Sequence, residues 1–333
     1  MKISKTDCLR TPKADGFYMP GEFEPHEGTL MIWPWRPGSW NYGAKAARAA
    51  FAEIAEAIAA YEQVYLFVRP QDKASAQELL SSDRIHLIEA PTEDAWARDT
   101  GATFVVNDQG GRRGIQWEFN AWGGQYDGLY SHFEHDREVP ERICSFLGDS
   151  FYNARPFVLE GGSIHVDGEG TLMTTAECLL NPNRNAQLDK AHKEALLKER
   201  LGVNRVLWLD HGYLAGDDTD SHIDTLARLC PDNTIVYVKC TDKADEHYAA
   251  LQAMEQQLHT FCTADGKPYR LLALPMANAI YDENGERLPA TYANYLVMNN
   301  VVLYPTYAQP DNDEAAAEVL HKAFPGRDVV GVD

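Results

Sequence analysis

The features that would place a protein in or across a membrane are missing from this sequence. Its apolar runs are all far shorter than the stretch of about 20 residues that crosses a bilayer as a helix. Residues 1–16 are charged and lack the apolar segment of a signal peptide. We therefore expect a cytoplasmic protein with no membrane partner.

Cysteine is also scarce, with six residues in the chain. They form no CxxC pair and no closely spaced framework, so the pattern disfavours a disulfide-stapled scaffold and favours a reducing compartment. The six are Cys8, Cys144, Cys178, Cys230, Cys240 and Cys262. Cys230 lies on a leucine-rich run, and we interpret it as a core residue.

Basic residues are outnumbered, with 30 Lys and Arg against 50 Asp and Glu, for a formal net charge of −20. Nucleic acids and anionic membranes would repel such a chain, so we expect neither as a partner. Small cationic molecules would be attracted. Solubility is an alternative explanation for the same acidity.

The sequence contains no linker-like or low-complexity stretch, although its length alone would suggest about two domains. Strand and helix patterns alternate instead, in cycles of about 60 residues. Three strand pairs are predicted at 103–106 with 114–119, 163–166 with 171–175, and 295–298 with 301–304. We predict an N-terminal lead-in at residues 1–18 and a single α/β domain at 19–333.

Two helices are predicted from apolar residues at helical spacing. The first covers residues 44–61 and the second residues 244–261. The predicted apolar positions are Phe51, Ile54, Ile58 and Tyr61 in the first helix, and Tyr248, Leu251, Met254, Leu258 and Phe261 in the second.

The stretch 216–224 is rich in ionisable side chains, with four carboxylates and one imidazole in nine residues. If residues 221–226 are extended, His222 and Asp224 point the same way. A carboxylate beside an imidazole favours the imidazolium and raises its pKa. A solvated acidic loop is the alternative interpretation.

Ionisable residues recur at matching points of successive cycles. Asp99, Glu160 and His222 each precede a predicted strand or strand pair, and they are separated by 160 − 99 = 61 and 222 − 160 = 62 residues. Groups at equivalent points of repeated units would converge on one axis. The spacing therefore predicts a shared site.

Five segments resemble the agmatine deiminase family, which belongs to the guanidino-group-modifying or pentein superfamily and is related to bacterial-type peptidyl-arginine deiminases. They are MPGEFEPHE at 19–27, WARD at 96–99, LEGGS at 159–163, NPNRN at 181–185 and DTDSHID at 218–224. The resemblance covers residue 19 to the end of the chain. It implies a pseudo-five-fold α/β propeller of ββαβ units, and a homodimer or larger homo-oligomer.

The resemblance also implies hydrolysis of agmatine to N-carbamoylputrescine and ammonia through a Cys-thiouronium intermediate, without a metal or cofactor. It assigns the guanidinium-binding carboxylates to Asp99 and Asp224, and the general acid/base to His222. Glu160 would orient that histidine. Further substrate contacts are implied for the pocket walls Trp96 and Trp122, and for Asp218 near the distal amine or the mouth of the site.

The sequence departs from the family at the nucleophile. The family cysteine follows a Gly-rich turn, and none of the six cysteines has that context. The resemblance implies that this cysteine lies beyond Asp333, so the chain as printed is expected to lack deiminase activity.

Other functions stay open at this point. The substrate could be free arginine or peptidyl-arginine, or the protein could bind a guanidinium without catalysis. A metal-dependent hydrolase is a third class, with Mg or Mn held by Asp217, Asp218, Asp220, His222 and Asp224. Taken singly, the tryptophans could be core residues, Asp99 could pair with Arg98, and Glu160 could serve a turn. We interpret His26, His86, His165 and His211 as structural.

Overall fold

The computed structural model describes residues 10–333, in which fifteen strands and nine α-helices follow one another. The strands are β1 (Gly28–Ile32), β2 (Gln63–Val68), β3 (Ile85–Glu89), β4 (Thr103–Val106), β5 (Arg112–Glu118), β6 (Ser150–Val158), β7 (Ile164–Val166), β8 (Thr171–Thr175), β9 (Arg205–Leu209), β10 (Ala227–Cys230), β11 (Thr234–Lys239), β12 (Arg270–Pro275), β13 (Leu296–Val297), β14 (Val301–Pro305) and β15 (Asp328–Val332). The helices are α1 (Lys45–Ala59), α2 (Lys73–Leu79), α3 (Ala97–Thr100), α4 (Gly124–Asp127), α5 (Val139–Leu147), α6 (Ala176–Leu179), α7 (Lys190–Leu201), α8 (Tyr248–Leu258) and α9 (Pro310–Ala323).

The strands of this part of the chain form five three-stranded sheets, each built from three consecutive strands. In four of them an antiparallel hairpin is followed by a helical crossover to a parallel third strand, which is the predicted ββαβ order. The first sheet differs, because β1, β2 and β3 are all parallel and are joined through α1 and α2. The predicted α/β class is confirmed.

Helix α1 buries only part of the predicted face. Ala52, Ala55 and Ile58 are buried, whereas the larger Phe51 and Ile54 are only half-buried at its flanks. Small alanine side chains let the helix axis approach the sheet closely, so the larger side chains are displaced to the edge of the contact. The sequence pattern located the helix correctly, but it did not predict that the small alanine side chains would be the most buried.

Helix α8 agrees more closely with its predicted pattern. Leu251, Met254 and Leu258 are buried in the largest apolar core, and Tyr248 and Phe261 pack against that core while remaining half-exposed. The helix is shorter than the predicted range of residues 244–261 at both ends.

Strand β6 was not predicted. Asn153, Arg155 and Pro156 interrupt its apolar pattern, and asparagine and proline are disfavoured in strands. It forms because it pairs in parallel with β5, and the pairing register shifts between Gln116 and Glu118. This tertiary pairing outweighs the local preference.

The described part of the predicted lead-in packs onto the domain. Phe17 is buried, and the backbone N–H groups of Tyr18 and Val106 donate to each other's carbonyl oxygens at 2.9 Å. Cys8 lies outside the described residues. The boundary at residue 18 stays a prediction.

Two further sequence expectations bear on the described chain. Its five cysteines are free, and Cys230 is a core residue as predicted. None of the helices in residues 10–333 has the length and apolarity to cross a membrane.

Replacing Ile58 by alanine should lower the free energy of unfolding by about 2–5 kcal/mol, because it leaves a cavity under α1. The matched control is Leu79→Ala in α2, where the side chain is 48% exposed and the expected loss is within about 0.5 kcal/mol. Urea denaturation measures both values. Equal losses in the two variants would contradict this account of the core.

Candidate active site

Asp99, Glu160 and His222 lie on short helical turns that lead into the first strands of three successive sheets. Asp99 lies in α3, Glu160 directly precedes a 3-10 turn at Gly161–Ser163, and His222 precedes another. They stand 103 − 99 = 4, 164 − 160 = 4 and 227 − 222 = 5 residues before β4, β7 and β10. The predicted equivalence of their positions is confirmed.

The α-carbon of Gly162 marks the point where the site groups meet. A methyl group added there would lie 2.6 Å from His222 Nδ1, 2.8 Å from Asp99 Oδ1 and 3.0 Å from Asp224 Oδ2. These three polar atoms therefore surround one small volume. Only glycine leaves that volume open.

The local reason given for the meeting of His222 and Asp224 was wrong. Residues 223–225 form a 3-10 turn rather than extended backbone. Thr225 causes this, because its N–H and its hydroxyl both donate to the His222 carbonyl oxygen, at 3.3 and 2.8 Å. Such local bonds compete with strand pairing. The two side chains share a site because the turn brings them together.

His222 is held between two carboxylates and is almost fully buried. Its Nδ1 lies 3.8 Å from Asp99 Oδ1, and its Nε2 lies 4.0 Å from Glu160 Oε2. Burial alone would lower the pKa of His222, but Asp99, the Cys178 thiol and Glu160 together raise it to about 10. The imidazolium is therefore the form present at neutral pH.

Asp99 is oriented by two hydrogen bonds. Trp122 Nε1 donates to its Oδ2 at 2.9 Å, and the Gly162 N–H donates to its Oδ1 at 2.8 Å. The alternative ion pair with Arg98 does not form, because Arg98 pairs with Glu22. One edge of the Asp99 carboxylate is thus fixed toward His222.

Asp224 is a buried carboxylate, and within residues 10–333 it forms no ion pair of its own. Burial raises its pKa, while His222 and Arg98 act in the opposite direction and Asp99 adds to the increase. A carboxylate in this state gains from the arrival of a positive group. The site therefore favours a cationic ligand.

Glu160 is fully buried and is held by Arg184, a residue to which the sequence analysis gave no role. Arg184 Nε donates to both Glu160 oxygens, at 2.9 and 3.0 Å. Its Nη1 also binds Asp220 and donates to Asn183 Oδ1 at 2.9 Å. The segment at 181–185 contributed to the family resemblance, and that was the one signal for Arg184.

Two of the four carboxylates of the stretch 216–224 shape its loop. Asp217 Oδ1 accepts from the Thr219 hydroxyl at 2.6 Å, and Asp217 Oδ2 accepts from the Ser221 N–H at 2.7 Å. Asp220 is bound by Arg184. From this stretch, His222 and Asp224 supply two of the three atoms nearest the point beside Gly162.

The alternative metal site is not assembled. Within residues 10–333, the group of potential ligands that comes close together is Glu160, Cys178 and His222. The predicted set was Asp217, Asp218, Asp220, His222 and Asp224. It fails because Asp217 and Asp220 are used within the loop.

Trp122 and Asp218 line a cavity of about 380 Å³. Burial raises the pKa of Asp218, and Asp217 and Asp99 add to this. The further acidic residues of the lining are Asp127, Glu177, Asp217 and Asp220. The cavity is therefore strongly anionic.

Trp96 lies in a different cavity from Trp122, so the two do not form the walls of one described pocket. It is 42% exposed, stacks on Trp40 at 5.4 Å between ring centroids, and lines an apolar cavity of about 890 Å³. Its edge contact with Trp122, at 6.4 Å, joins the two regions.

Family membership follows from sequence comparison. Residues 18–333 match the family of Porphyromonas-type peptidyl-arginine deiminases, and the chain belongs to this family. Within it, the chain is similar to agmatine deiminases, as the sequence resemblance predicted. The agmatine deiminase of Stutzerimonas stutzeri is 40% identical, over 98% of this chain and 93% of the relative.

Solved structures agree with this assignment. The agmatine deiminase of Enterococcus faecalis superposes with a TM-score of 0.91 at 36% identity, covering 97% of this chain and 92% of that one. A Cys→Ser variant of the C. jejuni agmatine deiminase with substrate bound superposes with a TM-score of 0.86 at 33% identity, covering 95% and 90%.

A histidine titration by NMR tests the electrostatics of the site. His222 should stay protonated up to a pH of about 10, and Asp99→Asn should lower its pKa because the variant removes the carboxylate beside Nδ1. The raised pKa stabilises the fold fully below the unfolded pKa of about 6.5, and this contribution is lost as pH rises through about 10.

The matched control for that titration is Asp189→Asn, which removes a carboxylate 2.8 Å from the exposed His192. This variant should leave the titration of His222 unchanged. A pKa of His222 near 6.5 in the unsubstituted protein would contradict the description of the site.

Proposed function

We propose that the protein hydrolyses the guanidinium group of agmatine, which gives N-carbamoylputrescine and ammonia. The observation that carries this proposal is the convergence of Asp99 Oδ1, Asp224 Oδ2 and His222 Nδ1 around Gly162. Membership of the family and the similarity to agmatine deiminases support it.

Asp99 and Asp224 are assigned the binding of the guanidinium. This group is planar and presents paired N–H donors, which match carboxylate oxygens in geometry and charge. Asp99 is already oriented by Trp122 and Gly162, so little ordering is needed on binding. Asp224, whose pKa burial raises, is stabilised as a carboxylate when the cation arrives.

His222 is assigned the proton transfers, and Glu160 the orientation of His222. A thiolate attacks the guanidinium carbon, His222 donates a proton to the departing nitrogen, and ammonia leaves a covalent thiouronium. His222 is then neutral and takes a proton from water as the water attacks the same carbon. The C–S bond breaks and regenerates the thiolate, the remaining hydroxyl proton passes to solvent, and the ureido product forms. Which cysteine supplies the thiolate stays a prediction from the family resemblance.

The anionic cavity favours agmatine over free arginine. Asp218 and its acidic neighbours would attract the ammonium of agmatine and repel the carboxylate of arginine. We assign Asp218 to that ammonium and Trp122 to the alkyl chain, with Trp96 at the outer edge. Peptidyl-arginine has no second cation, so it gains nothing from this cavity.

We also propose that the five sheets surround one axis as a pseudo-five-fold propeller. Contacts between α3 and the turn Gly161–Ser163, and between that turn and residues 223–225, support it. A core shared by Met31 of β1 and Val301 of β14 links the first and last sheets. The homo-oligomeric state and the cytoplasmic location stay predictions.

Calorimetry and an ammonia assay test the function with the full-length gene product. Agmatine should bind and release ammonia, and it should be preferred over free arginine and an arginine-containing peptide. Gly162→Ala should reduce turnover at least about 100-fold, because the methyl group separates the groups that hold the substrate. Gly38→Ala is the matched control, since its methyl group meets nothing closer than 3.9 Å.

Three results would contradict the proposal. Failure to bind agmatine would exclude agmatine as the substrate. Equal agmatine binding by the unsubstituted protein and by Asp99→Ala would exclude the proposed role of Asp99 in binding the guanidinium. Binding without ammonia release would favour the alternative of a guanidinium-binding protein.

A further inference from the structure

Cys178 lies beside the proposed catalytic groups but has no part in the reaction described above. Donor atoms of Glu160, Cys178 and His222 all lie within 4.8 Å of one another. All three side chains are buried, with 0%, 0% and 2% of their surfaces exposed. A thiol, an imidazole and a carboxylate thus share one enclosed volume.

The imidazole of His222 contributes a second observation. Its Nε2 is buried and has no hydrogen-bond partner in the described structure. Buried polar atoms are normally satisfied, so an unpartnered one marks a position that a ligand can fill. The nearest Glu160 oxygen lies 4.0 Å away, which is too far for a hydrogen bond but leaves space for an ion between the two atoms.

We propose that Glu160, Cys178 and His222 form a zinc-binding site whose occupation inhibits the enzyme. Sulfur, nitrogen and carboxylate oxygen together are the ligands that Zn²⁺ prefers, at about 2.0–2.3 Å, whereas Mg²⁺ and Ca²⁺ prefer oxygen alone. Three protein ligands leave a fourth tetrahedral position for water. The donor atoms must close by about 1 Å to reach zinc geometry.

The charge balance allows this exchange. Zn²⁺ replaces one proton of the His222 imidazolium and one proton of the Cys178 thiol, so two protons leave and the net charge of the site is unchanged. Arg184 therefore meets no additional positive charge. Glu160 retains free lone pairs for the metal, because Arg184 contacts its two oxygens through a single N–H group.

Zinc would inhibit the enzyme because it binds a nitrogen of the proposed general acid/base, His222. With zinc on Nε2, His222 keeps a proton on Nδ1 and has no free lone pair to accept another, so it cannot serve as a base. This consequence depends on the proposed function, whereas the binding of zinc does not.

Metal binding to the purified protein tests the site directly. Equilibrium dialysis with Zn²⁺ should find one tightly bound ion per chain, with release of two protons at neutral pH. Co²⁺ should give a thiolate-to-metal charge-transfer band. Cys178→Ala and Cys178→Ser should each remove the band and weaken zinc binding at least about 100-fold. Loss of a group that only supports a ligand already weakens metal binding by up to about 100-fold, and Cys178 is a proposed direct ligand.

The exposed Cys262 supplies the matched control, and Cys262→Ser should keep the band and the affinity. Thermal unfolding shows whether each Cys178 variant is folded, and the serine variant keeps the size of the side chain. Absence of a tight zinc ion in the unsubstituted protein, or an unchanged Co²⁺ band in a folded Cys178 variant, would overturn the proposal. These readouts stand whether or not agmatine is hydrolysed.

Discussion

The electrostatic balance around the buried His222 is the constraint on which the rest of the site depends. Charges placed in a protein interior lose their hydration, so each needs a partner of opposite sign. Glu160 has Arg184, and Asp99 has the imidazolium of His222. Asp224 remains, and its pKa is raised because the carboxylate is buried and lies near the charge of Asp99. The site is thus short of one positive charge, which a guanidinium substrate would supply.

The nearby arginines do not supply the missing positive charge, because they are engaged in other ion pairs. Arg98 and Arg228 lie close enough to influence Asp224, but both are bound to Glu22. Arg184 joins Glu160 to Asp220 and so fixes the loop that carries His222. These ion pairs hold Glu22, Glu160 and Asp220 in position, and they do not include Asp224.

The parts of this arrangement that could be predicted were those encoded locally or by repetition. The predicted strand pairs located β4 and β8, and the recurrence near 61 residues located Asp99, Glu160 and His222. The roles of these side chains came from the family resemblance, because the spacing predicts where the residues lie but not which reaction step each one performs.

The remaining features depend on contacts between distant parts of the chain. Arg184 binds Glu160 across 24 residues, and nothing in its own neighbourhood shows that it is buried. The Cys178 thiol lies close to His222 because α6, which carries Cys178, directly follows strand β8 of the third sheet and lies beside the loop that carries His222. Strand β6 was missed for the same reason, since its pairing with β5 outweighs its composition.

A crystal structure with agmatine bound tests the central claim most directly. The account predicts the guanidinium between the Asp99 and Asp224 carboxylates, beside Nδ1 of His222, with the ammonium in the anionic cavity lined by Asp218. Agmatine held instead in the apolar cavity beside Trp96, with Asp224 unpaired, would contradict it.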